Sequence, residues 1–141
     1  MNDNAIGKAH WSFWVIGIVL LIWNVMGCIN FFVQMDPEIL ASYGASARAI
    51  VEDRPLWATA GFAVAVFGGA LGCLILLLRK RVAYYLFVAS LLGVIVTMIH
   101  ALGLGIEFGS GELIGMVLMP LVVAAFLIWY SKSAESKGWL K

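Results

Sequence analysis

Apolar residues run along this chain in four long blocks, broken by short charged joints. From Trp11 to Val33 there is no Asp, Glu, Lys or Arg, and charge is absent again from about Leu56 to Leu78. A third block runs from Val82 to about Leu104, with Arg81 before it and Glu107 after. The fourth and shortest runs from about Glu112 to Tyr130. Crossing the hydrocarbon core takes about 20 apolar residues in a helix. The pattern therefore predicts transmembrane helices at 11–33, 56–78, 82–104 and 112–130. Barrel strands would alternate polar and apolar positions, and these blocks do not.

The connections predict how the helices are joined. Arg79-Lys80-Arg81 alone separates the second block from the third, and a Gly-rich turn from Gly103 to Gly111 separates the third from the fourth. Short joints make antiparallel neighbours, hence an all-α, up-and-down four-helix bundle. The first connection is longer. Asp36-Pro37 reads as an N-cap followed by proline at the first helical position. Ile39, Tyr43, Ala47 and Ile50 then form an apolar stripe, which predicts a short amphipathic helix over 37–52 in the first outer loop. Gly44 and Ser46 weaken it.

Composition agrees with the pattern. Of 141 residues 63% are hydrophobic and only 12% charged, with a mean hydropathy of +1.00, whereas soluble domains carry about 25% charge. That excludes a disordered chain, a nucleic-acid binder and most soluble enzymes. It leaves one membrane domain over residues 1–141, with the lipid bilayer as its first partner. The net charge of +1 steers no polyanion. Cys28 and Cys73 stand alone in apolar segments, which suggests neither a metal site nor a disulfide framework and makes both packing residues.

Charge also predicts orientation. Lys8, Arg79, Lys80, Arg81, Lys132, Lys137 and Lys141 fall on the side of the two termini. Only Arg48 and Arg54 fall opposite, among Asp36, Glu38, Glu52, Asp53, Glu107 and Glu112. By the positive-inside rule both termini face the cytoplasm. Trp11, Trp14, Trp57, Trp129 and Tyr130 lie near block ends, where amphipathic rings favour the interface. Val25-Met26-Gly27-Cys28 loosely resembles a lipoprotein processing site, but Met before the Gly is atypical and the apolar run continues past it. The tail after Ser131 reads as a basic, snorkelling tail with Trp139-Leu140 as an interface anchor.

Two sets of residues are candidates for function. Gly61, Ala65 and Gly69, with Gly68 and Gly72 one position out of step, form a small-residue face on the second helix. Such a face serves close packing within the chain or a dimer or partner interface. The second set is polar. Trp23, Gly27, Asn30 and Gln34 lie along one face of the first helix, and Asn24 points elsewhere. Thr97 and His100 lie one turn apart on the third helix. Asn30 and His100 fall at similar depth, so Trp23, Asn24, Asn30, Gln34, His100 and Glu107 make a candidate polar pocket floored by Trp23. Two readings fit it: Asn30 and His100 joined by a hydrogen bond that ties two helices, or a His that answers to protons or ligand. Glu112 complements the dipole of the fourth helix, and Pro120 frees the Met116 carbonyl and kinks that helix.

No acid lies deep in any span, and no nucleophile–base set, phosphate loop or metal spacing is present. The sequence therefore predicts no enzyme, no cofactor and no metal.

Trp11-Ser-Phe-Trp14, Trp23-Asn24-Val-Met-Gly27, Pro55-Leu-Trp57-Ala, Phe67-Gly-Gly69-Ala-Leu-Gly72 and Leu76-Leu-Leu-Arg79-Lys-Arg81 occur in that order. This set resembles a family of small four-helix proteobacterial inner-membrane proteins often labelled "sugar transporter". The resemblance implies a bacterial inner-membrane location. Where relatives sometimes carry an acid after the Trp–Asn–Gly stretch, this chain has Asn30. The leading expectation is a non-catalytic accessory or scaffold subunit that meets other membrane subunits or itself. The alternative is a small-solute, sugar-like transporter or binder acting as an oligomer.

Overall fold

The computed structural model describes residues 8–52, 54–104, 111 and 114–141, and the side chains of all of these except 46, 47, 116 and 117. Asp53, Glu107 and Glu112, and most of the turn from Gly103 to Gly111, lie outside the described residues. Six α-helices are present among them. They are α1 (Trp11–Val33), α2 (Pro37–Ala41), α3 (Ala45–Glu52), α4 (Leu56–Leu77), α5 (Ala83–Gly103) and α6 (Met119–Ser136), with a π-helical turn over Ile114–Leu118 leading into α6. By length and hydropathy three of them, α1, α4 and α5, are able to cross a membrane.

The fourth apolar block takes a different form. Pro120 has no N–H to donate to the Met116 carbonyl and its ring crowds the turn before it. The chain widens there into the π turn, and α6 begins only at Met119. The helix then runs past Tyr130 to Ser136, through Lys132 and Glu135, which form an ion pair at 3.5 Å. Its apolar portion is therefore shorter than that of the other three.

The outer-loop helix is divided. Asp36 caps its first piece as the sequence implies, its Oδ1 accepting from the Glu38 N–H at 2.9 Å. The helix stops after Ala41, where the Ser42 hydroxyl donates to the Ile39 carbonyl at 2.5 Å, and restarts at Ala45 beyond Gly44. Ser and Gly at this point offer local bonds and backbone freedom that a continuous helix would have to overcome.

The long helices pack in series: α1 on α4, α4 on α5, and α5 on α6. Without a hydrophobic drive between helices in lipid, contact depends on close backbone approach. The small residues of α4 provide it. A side chain on Gly61 would meet Val96 of α5, one on Gly72 would meet Phe87, and one on Gly69 would meet Asn24 of α1. The α5 face answers with Gly93 and with Ser90, whose hydroxyl donates to the Ala65 carbonyl at 2.6 Å. The small-residue face is thus taken up inside the chain, between α1 and α5.

Around the termini the chain is closed. Phe13, Cys73, Leu76, Phe87 and Leu127 are almost fully buried together. Phe13 stacks on Tyr130 at 6.3 Å, Tyr130 on Phe126 at 5.5 Å, and Trp139 meets Phe13 edge-on at 5.9 Å. Both helices that end here finish in the same motif. After α4 the Lys80 and Arg79 amides bond back to Ile75 and Leu76, with Arg79 left-handed at φ 62°. After α6 the Trp139 and Gly138 amides bond to Ala134 and Glu135, with Gly138 at φ 76°. These are Schellman caps. The two are laced together: the Lys141 N–H donates to the Arg79 carbonyl at 2.8 Å, the Arg81 N–H donates to the Lys141 carbonyl at 3.1 Å, and Arg79 Nε donates to the Trp139 carbonyl at 2.8 Å. The tail expected to snorkel instead folds back, with Leu140 buried.

Candidate functional site

At the other end the series stays open. Among the described residues α1 and α6 do not pack along their lengths, and they approach each other through Phe13 and Tyr130 near the termini. Between them, backed by α4 and α5 and topped by α3, lies a cavity of about 650 Å³. Small-molecule sites typically span about 300–1,000 Å³. The wall that α1 contributes, from Asn24 to Gln34, covers about 15 Å of helical rise.

Trp23, Asn24, Asn30, Gln34 and His100 all line this cavity, so the structure brings together every described member of the pocket read from the sequence. Glu107 lies outside the described residues. Their arrangement differs from the expected one. Trp23, 40% exposed, is a wall and not a floor, and the most buried lining side chains are Leu127 and Ala124 of α6. Asn24 is turned into the α1–α4 seam, where its amide donates to the Leu20 carbonyl at 2.8 Å and to Cys73 Sγ at 3.6 Å. Asn30 and His100 are not bonded to each other. Asn30 Oδ1 accepts from the Tyr43 hydroxyl at 2.8 Å, and His100 Nε2 lies 3.1 Å from the Ile50 carbonyl of α3. A carbonyl only accepts, so this bond requires the proton on Nε2. The ring stands edge-on to Trp57 at 5.8 Å. Each side chain therefore ties the loop segment down onto a long helix. The sequence, lacking the loop's position, suggested a direct helix-to-helix bond.

Arg54 and Tyr43 also line the mouth and were not among the residues singled out. Arg54 Nη1 donates to Gln34 Oε1 at 3.1 Å and its Nε to Thr59 Oγ1 at 3.3 Å, while the guanidinium lies over the Phe62 ring at 5.0 Å. Among the described residues no carboxylate is within ion-pair distance of it. Burial pushes its pKa below the usual arginine value, though a guanidinium stays charged at any working pH. One signal in the sequence pointed here: Arg54 is one of two basic residues on an otherwise acidic side. Nearby Arg48 is answered by Glu52 at 3.6 Å.

Below the mouth the cavity is apolar. Phe62 and Val66 of α4, Val94 and Met98 of α5, and Val123 of α6 form its sides. Ser90 and Thr97 are present, but their hydroxyls are spent on the Ala65 and Val94 carbonyls at 2.6 and 2.7 Å. Among the described residues no group of His, Cys, Asp and Glu is placed to hold a metal ion. No family model, curated protein or solved structure matches the chain.

Proposed function

We propose that this chain is a non-catalytic membrane protein that binds a small molecule between α1 and α6. The observation that carries this reading is the cavity itself. It has one polar end and apolar walls, and it opens where α1 and α6 fail to pack along their lengths. In the same reading α6 and its π turn make a fourth crossing, and both termini face the cytoplasm, with Arg79, Lys80, Arg81, Lys132, Lys137 and Lys141 at the basic end. The family resemblance supports a bacterial inner membrane.

An accessory or scaffold role is the second reading. The observation that favours it is the outer side of α1, where Ile18, Ile22 and Ile29 are exposed and α4 is the helix it packs on. The small residues of α4 no longer argue for it, because α1 and α5 occupy them.

Purification from the source membrane in mild detergent, followed by native mass spectrometry, separates the two. A monomer or homo-oligomer carrying a bound small molecule supports the binder. A defined hetero-complex with an empty cavity overturns it in favour of the accessory subunit.

A further inference from the structure

The polar groups around the cavity divide into those already committed and those still available. Ser90, Thr97 and Tyr43 donate their hydroxyl protons within the protein, and Asn24 donates its amide to Leu20 and Cys73. A carbohydrate, with hydroxyls on every side, would find few partners along walls of Phe62, Val66, Val94 and Met98 and would be desolvated at a loss. Arg54 is different. Its guanidinium is half-buried and, among the described residues, faces neutral acceptors and an aromatic ring and leaves N–H groups of Nη1 and Nη2 without a partner. A partly desolvated cation held by neutral groups is a receptor for an anion, and the planar fork suits a carboxylate or phosphate.

Charge at the mouth and apolar depth behind it define one class of ligand. We infer that the cavity takes a single-chain anionic amphiphile, its head on Arg54 beside Gln34 and its tail running down between α1 and α6 toward Leu127. This rests on the small-molecule reading above and names its ligand. The depth of about 15 Å along α1 suits an alkyl chain better than a compact solute. The unpacked α1–α6 flank faces the direction from which a membrane-dissolved chain would arrive. A soluble anion could use the same head site, but it would leave the apolar walls unfilled.

The test uses the full chain in mild detergent and counts bound adducts by native mass spectrometry. The probes are dodecanoate, dodecyl phosphate, neutral dodecanol, inorganic phosphate and maltose. The expected result is one dodecanoate or dodecyl phosphate per chain, with dodecanol bound about tenfold more weakly and maltose not at all. Arg54→Gln should weaken the anionic probes by a similar factor and leave dodecanol unchanged, while Arg54→Lys should recover part of the affinity. Val123→Trp, which adds bulk to the α6 wall, should exclude every alkyl probe. Equal binding of dodecanol and dodecanoate, or full affinity in Arg54→Gln, overturns the anionic head while leaving the cavity reading in place. Inorganic phosphate bound as tightly as dodecyl phosphate overturns the amphiphile in favour of a soluble anion. Maltose as the tightest probe restores the sugar reading. Failure of all five probes, with Val123→Trp indistinguishable from the parent, overturns the small-molecule reading itself.

Discussion

Gly93 of α5 lies so close to Gly61 of α4 that a Cβ on the former would fall 2.5 Å from the latter's carbonyl oxygen. It would also fall 2.7 Å from the Ala65 nitrogen. Both neighbours are backbone, so neither can swing aside. The expected outcome is that Gly93→Ala separates α4 from α5 and destabilises the chain by about 2 kcal/mol. Gly103→Ala, at the end of the same helix with nothing within 4 Å among the described residues, should cost nothing. Denaturant unfolding in detergent compares the two, and equal midpoints would contradict the close crossing.

In the seam between α1 and α4, Gly69 and Asn24 meet directly. A side chain on Gly69 would run into the Asn24 carboxamide, and Asn24 in turn holds Leu20 and Cys73. Gly69→Ala and Asn24→Ala should each destabilise, the first by collision and the second by lost bonds. In the double variant the collision is gone. The two effects should therefore fall short of additivity by about 1 kcal/mol. Strict additivity would mean that the two residues do not meet.

Tyr130 carries a liability. Its ring is stacked between Phe13 and Phe126, but its hydroxyl is buried with no partner among the described residues. Removing an unsatisfied buried hydroxyl while keeping the ring relieves a desolvation penalty of about 1–3 kcal/mol. Tyr130→Phe should accordingly raise the unfolding midpoint, and a lower midpoint would show that the hydroxyl has a partner.

His100 is expected to matter locally. Replacing it with Phe keeps an aromatic ring against Trp57 but removes the bond to the Ile50 carbonyl. Global stability should fall by only about 0.6 kcal/mol, the usual value of a side-chain hydrogen bond within a membrane. Amide exchange over Ile50–Glu52 should quicken well beyond that, because α3 loses a tie to α5. Unchanged exchange there would assign the bond no anchoring role.

The sequence was most informative where one rule acted alone. Unbroken apolar runs placed α1, α4 and α5 to within a residue or two, and Asp36-Pro37 marked the start of α2 correctly. It was least informative where two elements had to meet. Pro120 announced a disturbance in the fourth block, but whether it became a kink or a widened turn depended on the surrounding backbone. Asn30 and His100 were found as a pair at equal depth and do line one cavity. Their partners, Tyr43 and the Ile50 carbonyl, come from a loop whose fold over the bundle no periodicity records. Arg54 was counted only as a charge for orientation. Its meaning depends on having Phe62 below it, Gln34 beside it and, among the described residues, no acid within reach, which are facts of three-dimensional placement.

The aromatic cluster of Phe13, Phe126, Tyr130 and Trp139 gives the cavity a dead end. Whatever enters from the loop side stops at Leu127, and nothing short of parting the stacked rings would let it out by the termini. Each aromatic pair adds about 0.5–1.5 kcal/mol beyond the area it buries, and the Schellman caps laced through Lys141 hold the same end shut from outside. Among the described residues the cavity is therefore closed toward the termini and open only toward the loop and along the α1–α6 flank. Passage from one side of a membrane to the other would need a second state in which α1 and α6 trade their closed end for their open one.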